Sequence, residues 1–89
     1  MKHFKDLEKI VKGFANHRRI EILTLLEKQP NLSVWEIADK LHVNFKTISE
    51  HTRRLANAGL VWKANKGSAV RHVLSDQGKT ILKFLRTLE

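Results

Sequence analysis

Ser49, Glu50 and His51 have the side-chain types that act as nucleophile, orienting acid and base in hydrolytic enzymes. Their spacing excludes that chemistry, because three consecutive residues of a helix point about 100° apart and cannot converge on one reacting atom. The chain has no cysteine, which removes thiolate nucleophiles, thiolate metal sites and disulfides together. The remaining histidines lack metal-ligand spacing, and there is no glycine-rich phosphate loop. We therefore predict a protein that is not an enzyme and that uses no metal and no cofactor.

The stretch NFKTISEHTRRL, residues 44–55, predicts a helix suited to a different chemistry. One thin apolar stripe holds it to a core, and the rest of its surface is polar. Polar side chains of this kind bind the base edges and phosphates of DNA. The base-edge candidates, near the helix start, are Lys46, Thr47, Ser49 and Glu50. The phosphate candidates, one turn further on, are Arg53 and Arg54. For Lys46 and Glu50, an exposed position without a base contact is an equal alternative, and His51 is interpreted as a packing residue.

The charge of the chain favours the same partner. Lysine and arginine number 17 against 9 acidic residues, which gives a net charge of +8 and an isoelectric point near 10.2. Segment 42–75 holds six of these cations against the single acid Glu50, so +5 of the charge lies there. A concentrated basic surface predicts a polyanionic partner, and we expect double-stranded DNA. The alternative is an ordinary solvated face.

The elements that must position these side chains can be predicted from apolar periodicity and capping residues. A first helix is expected at about 4–15, and a second, largely buried helix ends before Pro30. SVWE at 33–36 is a capping box that begins a third helix. After the short connection HVN, Asn44 is a good N-cap for the helix 44–58. Two helices joined by so tight a turn are typical of a helix-turn-helix.

Two extended runs, LVWKAN and AVRHVL, follow this unit and are separated by KGS, which predicts a β-hairpin. Val70, His72 and Leu74 are expected to face inward, and Ser75 to cap a last helix. The hairpin would contact the phosphate backbone or the minor groove, with a basic tip formed by Lys66 and Arg71 and with Lys63 on the same hairpin. The fold class is therefore α+β and mostly α: a winged helix-turn-helix with a β-hairpin wing and a C-terminal helix, in a single domain over 1–89.

Three stretches of the chain resemble the ArsR-type winged-helix transcriptional repressors. They are FANHRRIEILTLL, SVWEIADKLHVNFKTISEHTRRLANAGLV and GSAVRHVLS, and the likeness covers roughly 4–88. LSDQG, after the hairpin, is similar to the MarR type. Ser49 and His51 match the family's Ser-x-His, and Arg19 falls where the family has an arginine. The resemblance implies DNA binding, repression and a homodimer built from the first and last helices.

The two ends of the chain carry apolar stripes that agree with this implied dimer. Their members are Phe4, Leu7, Ile10, Val11, Ile81, Phe84, Leu85 and Leu88. A chain of this length is not expected to bury both stripes alone, so we predict that they form a dimer interface.

The chain departs from the family where metal-sensing members bind their ions. The metal-sensing members have a motif similar to Cys-Val-Cys-Asp-Leu on the third helix. This chain has SVWEI at the same place, residues 33–37. The family's other site needs histidines on the last helix, and none follows His72. The resemblance therefore argues against metal sensing. Trp35, at the altered site, and Trp62, on the first strand, are expected to pack in the core or an interface.

The sequence thus predicts a homodimeric, sequence-specific DNA-binding regulator, acting as a repressor, in which helix 44–58 and wing 60–74 read an inverted repeat. No apolar run approaches the roughly 20 residues that a membrane span requires, so we expect a cytoplasmic protein without a membrane partner. Two alternatives stay open. One is a non-specific architectural DNA-binding protein, and the other is a winged helix used for protein–protein contacts.

Overall fold

The structure, a computed structural model, describes residues 2–67 and 69–89, and at Lys66 it describes the backbone alone. Within these ranges five helices and one hairpin follow in the order α1 (Phe4–Phe14), α2 (His17–Lys28), α3 (Val34–Leu41), α4 (Phe45–Asn57), β1 (Val61–Lys66), β2 (Ala69–Leu74) and α5 (Asp76–Arg86). The predicted winged helix-turn-helix fold is confirmed. None of the described helices has the length and apolar character needed to cross a membrane.

Polar caps begin the helices where the sequence predicted them. At the start of α3, the Ser33 hydroxyl accepts from the Glu36 N–H at 3.2 Å, and Glu36 Oε1 accepts from the Ser33 N–H at 2.9 Å. This reciprocal pair is the predicted capping box. Asn44 caps α4 through its side-chain oxygen, and the Ser75 hydroxyl caps α5. Both predicted caps are confirmed.

The turn between α3 and α4 sets the angle of the helix-turn-helix. His42 ends α3 in the left-handed conformation, with φ of 56°, which the sequence did not predict for a non-glycine residue. At the other end of α4, Gly59 has φ of +75° and stops the helix as expected. α4 is one residue shorter at each end than the predicted helix 44–58, because Asn44 and Ala58 are its caps.

The core lies between α2, the helix-turn-helix and the base of the hairpin. α2 is its centre, as predicted for a helix that is apolar around most of its circumference. Apolar side chains with 1% exposure or less come from α2, α3, α4 and the start of the hairpin, namely Ile22, Leu23, Leu26, Ile37, Ile48, Leu55, Leu60 and Val61. From α4, only the stripe of Ile48 and Leu55 is among these side chains, so α4 packs on the rest of the protein along one side.

His72 anchors the hairpin to the body of the protein. Its N–H donates to the Leu32 carbonyl at 2.9 Å, and its Nδ1 lies 2.9 Å from the same oxygen. A carbonyl only accepts, so Nδ1 carries the proton and donates. Burial lowers the pKa of His72, although the hydrogen bond to Leu32 opposes that shift. His72 and Leu74 face inward, as predicted.

The two strands pair antiparallel from Val61 opposite Leu74, at the base, to Lys66 opposite Ala69, next to the turn. Val70 was predicted to face inward, but it is 42% exposed. That prediction is wrong because the alternation of buried and exposed side chains holds only where the hairpin lies over the core. Nearer the turn, the strands extend past it.

Candidate nucleic-acid interface

α4 turns one side into the core and leaves a broad polar side on the surface. Ile48, Thr52 and Leu55 are buried, and the Thr52 hydroxyl is satisfied by the Ser49 carbonyl at 3.0 Å. The opposite side is exposed and carries Lys46, Thr47, Glu50, Arg53 and Arg54. Ser49 lies half-buried at its edge. The candidates of the helix therefore share one face of α4.

Glu50 is held between two arginines. Its Oε1 accepts from Arg53 Nη2 at 2.5 Å and from Arg54 Nε at 3.0 Å, and its Oε2 accepts from Arg53 Nε at 3.3 Å. The Arg53 hydrogen bond, with a smaller effect from Arg54, lowers the pKa of the Glu50 carboxyl against the opposing effect of desolvation. Exposed ion pairs add little to stability and are easily exchanged. A phosphate could therefore replace the Glu50 carboxylate between the two guanidinium groups.

His51 lies half-buried on the inner edge of α4. Its Nδ1 is buried and has no hydrogen-bond partner within the described ranges. Burial, followed by the positive charges of Arg19 and Arg18, lowers its pKa. Partial burial agrees with the interpretation of His51 as a packing residue, but among the described residues its Nδ1 lacks the hydrogen bond that a buried ring nitrogen usually makes.

Arg19 joins the end of α1 to the start of α2. Its Nη1 donates to the carbonyl oxygens of Lys12 at 3.0 Å and Gly13 at 3.1 Å, in the last turn of α1, where carbonyls have no helical partner. Burial and the nearby charge of Arg54 lower its pKa. The guanidinium thus caps α1 and adds its charge to the side of α4 that carries the arginines.

Cations of α1, α2 and α4 line one concave surface, which sequence reasoning missed. This depression has a volume of about 510 Å³, and its cationic lining residues are Lys5, Lys9, Lys12, Arg19, Arg53 and Arg54, with Glu8 among them as an acid. The available signal was the spacing i, i+4, i+7 of the three lysines, which places them on one face of α1. Nothing in that spacing shows that the face lies beside α4.

The wing cations are arranged differently from the prediction. Lys63 is exposed on β1. Arg71 lies opposite Ala64 in the middle of β2, and its Nη1 contacts Glu36, the acid of the α3 capping box. Its predicted place at the tip is wrong, because the hairpin register puts it beside α3. The side chain of Lys66 lies outside the described residues.

The apolar stripes of α1 and α5 divide into two sets. Ile10, Ile81 and Leu85 are partly buried against the core. The exposed set consists of Phe4, Leu7, Val11, Phe84 and Leu88. Five of the eight candidates for a dimer interface are therefore uncovered in the single chain.

Trp35 and Phe45 stack on each other at the surface, where α3 and α4 begin. Their ring centroids are 4.1 Å apart and the rings are inclined by 26°. Trp35 is 68% exposed and Trp62 is 60% exposed, so neither tryptophan belongs to the core of the chain. That the two tryptophans pack in an interface with another molecule stays a prediction.

Metal ligands do not cluster in the described structure. No group of three or more His, Asp or Glu side chains in residues 2–67 and 69–89 could hold a metal ion.

Comparison with known proteins shows that this chain is similar to bacterial regulators. The family model described as bacterial regulatory protein, arsR family, matches residues 16–63, from the N-cap of α2 into β1. The transcriptional activator HlyU of Vibrio cholerae is 31% identical over 80 residues, which are 89% of this chain and 73% of HlyU. A homologue of the cadmium resistance transcriptional regulatory protein CadC from Staphylococcus aureus is 28% identical over 72 residues. That alignment covers 81% of this chain but only 60% of the CadC homologue.

A solved structure shows the same fold. The homodimeric winged helix-turn-helix DNA-binding domain of Mb0332 from Mycobacterium bovis, a possible ArsR-family regulator, superposes with a TM-score of 0.85 at 25% identity. The superposition covers 94% of this chain and 78% of the other.

Proposed function

Because this chain belongs to the ArsR family of bacterial regulatory proteins, we propose that it acts as a homodimer that reads an inverted repeat in duplex DNA. Its family and its relatives are transcription regulators. This chain is likewise a DNA-binding transcription regulator and not an enzyme. The sequence-based prediction is confirmed at that level. In the finer proposal, α4 enters the major groove and the hairpin lies against the adjacent backbone.

The observation that carries this proposal is the exposed polar face of α4. A recognition helix reads bases through the residues of its first turns, and the base-edge candidates Lys46, Thr47, Ser49 and Glu50 lie there. Lys46 suits guanine O6 and N7, Glu50 suits cytosine N4, and the hydroxyls suit either role. Arg53 and Arg54 follow one turn later and are assigned to phosphates. On the wing we assign Lys63, Lys66 and Arg71 to the backbone.

The proposed dimer pairs α1 and α5 of one chain with those of a second. Four large apolar side chains on these two helices and Leu88, just beyond the end of α5, are uncovered, which is the surface that a two-fold interface would bury. The Mb0332 domain is described as homodimeric, which supports the same assembly here. A two-fold dimer predicts half-sites whose centres lie about 10 bp apart, or a multiple of that.

We further propose that residues 1–89 form a single DNA-binding domain. The dimer would repress transcription by occupying a promoter, and it would do so in the bacterial cytoplasm. The relative HlyU is named an activator, and repression is proposed here from the resemblance to the ArsR-type repressors.

Selection from a random duplex DNA library at near-physiological salt, followed by sequencing of the bound fraction, tests the proposal. We expect enrichment of one inverted repeat. Salt-sensitive binding without enrichment would contradict it and favour a non-specific architectural protein. Absence of DNA binding would leave the winged helix as a protein-contact module.

A further inference from the structure

The stacked pair Trp35 and Phe45 lies beside the outer face of α4 but is neither charged nor buried. Phe45 is the first residue of α4 and is 37% exposed, and Trp35 is the second residue of α3. Aromatic rings left in water forgo the free energy of burial, and an uncovered apolar patch often marks an interaction site. The pair is therefore a surface that another molecule is expected to cover.

The position of the pair identifies the molecule. Phe45 immediately precedes Lys46 on α4, among the residues that reach base edges in a helix-turn-helix. A cleft of about 450 Å³ opens beside its ring and extends to the wing, where Val70 and Arg71 form the far wall. The apolar surface is thus continuous with the proposed DNA surface, from the start of α4 to the hairpin. It lies on helices other than α1 and α5, to which the dimer interface is assigned.

Duplex DNA presents one apolar group in the major groove, the C5 methyl of thymine, and phenylalanine is among the side chains that contact it. We propose that Phe45 contacts the methyl group of a thymine at one position of each half-site. Trp35 is the positioning residue, because its stacked ring holds the Phe45 ring in one orientation. This inference rests on the proposed function, since it requires α4 to lie in the major groove.

The test uses the operator that the library selection yields. Each thymine is replaced in turn by deoxyuridine, which lacks only the methyl group, at both symmetric positions, and the dissociation constant is measured by fluorescence anisotropy. Loss of one buried methyl group is expected to weaken binding about fourfold per half-site, and so about fifteenfold in the dimer. With Phe45→Gln, the thymine and deoxyuridine operators should bind equally well. The control Lys28→Gln changes an exposed side chain of α2, outside the proposed DNA surface, and should keep the full difference.

The role of Trp35 is measured by the ratio of the two dissociation constants, which a uniform loss of folded protein leaves unchanged. Trp35→Ala should lower this ratio, and Trp35→Phe should restore it. An unchanged ratio in Trp35→Ala would overturn the positioning role.

The outcomes separate the inference from the proposed function. If no sequence is enriched, both fall together. If an operator is enriched but no thymine position depends on Phe45, the inference alone is overturned, and a protein surface becomes the occupant of the aromatic pair. A deoxyuridine effect that persists in Phe45→Gln also overturns it, because the methyl contact then belongs to another side chain.

Discussion

At the scale of single residues, Arg53 and Arg54 share the Glu50 carboxylate in the free protein, so their charges are already held together on the outer face of α4. DNA binding would exchange that carboxylate for phosphates. Each cation that neutralises one phosphate contributes about 0.9 to the slope of log K against log salt. The energetic role of the arginines should therefore appear in the salt dependence more clearly than in the stability of the fold.

Replacing both arginines by alanine should weaken DNA binding at all sequences and reduce the salt slope by about 0.9 for every phosphate that the variant no longer neutralises. The matched control is Lys28→Ala with Lys79→Ala, which removes the same charge from exposed positions outside α4 and the hairpin. Titrations at several salt concentrations measure the slope. Equal slopes for the two double variants would show that net charge, and not this face of α4, governs binding.

A second residue-scale prediction concerns pH. Burial lowers the pKa of both His72 and His51 below the usual 6.5, so the unfolded chain binds protons in a range where the folded chain does not. The free energy of unfolding should be greatest above pH 6.5 and should fall as the pH drops below 6.5. Denaturant titrations across that range provide the measurement. His72→Gln should show a shallower decline than the wild type, and an equally steep decline would argue against the buried histidine as its cause.

At the scale of elements, the start of α5 lies directly against the chain segment that begins the hairpin. A Cβ atom at Gly78 would lie 2.2 Å from the Leu60 carbonyl oxygen, so any larger residue must push α5 away from the hairpin base. Gly78→Ala should lower the free energy of unfolding by about 1 to 3 kcal/mol, the usual cost of overpacking. Chemical denaturation measures it. Lys79→Ala, on the exposed side of the same helix, is the control and should leave stability nearly unchanged; a neutral Gly78→Ala would contradict the close contact.

The elements themselves were predictable because their signals are local. The capping box of Ser33 and Glu36, the N-cap Asn44 and the terminator Gly59 each act within a few residues, and all three are confirmed. The helix-turn-helix and hairpin follow from them. The inward position of Val70 was wrong because alternation along a strand does not show where the core ends.

The candidate site was predicted as a set of residues on α4 but not as a surface. The contact of Arg71 with Glu36 joins residues 35 positions apart, and no local pattern indicates it. The same holds for the lysines of α1 beside α4 and for the stack of Trp35 on Phe45. Such contacts depend on how the helices pack, which the sequence pattern alone does not determine.

At the scale of the whole molecule, the proposed dimer doubles the DNA contacts. Phe84 is 51% exposed on α5, so Phe84→Glu should fold but place a charge in the two-fold interface. Sedimentation velocity should show a monomer, and affinity for the inverted repeat should fall by about 10² to 10⁴, the gain that two linked sites give. Val70→Glu, at an exposed apolar residue of the hairpin, should stay dimeric. A Phe84→Glu protein that remained a dimer would exclude this part of α5 from the interface.

Library selection with the wild type and Lys46→Gln side by side tests whether the exposed face of α4 reads bases. Lysine favours guanine and glutamine favours adenine, so we predict that the selected inverted repeat changes from guanine to adenine at one symmetric position and keeps its other bases. Lys28→Gln, which changes an exposed lysine of α2, should select the wild-type repeat. Identical repeats from wild type and Lys46→Gln would contradict the assignment of Lys46 to base recognition.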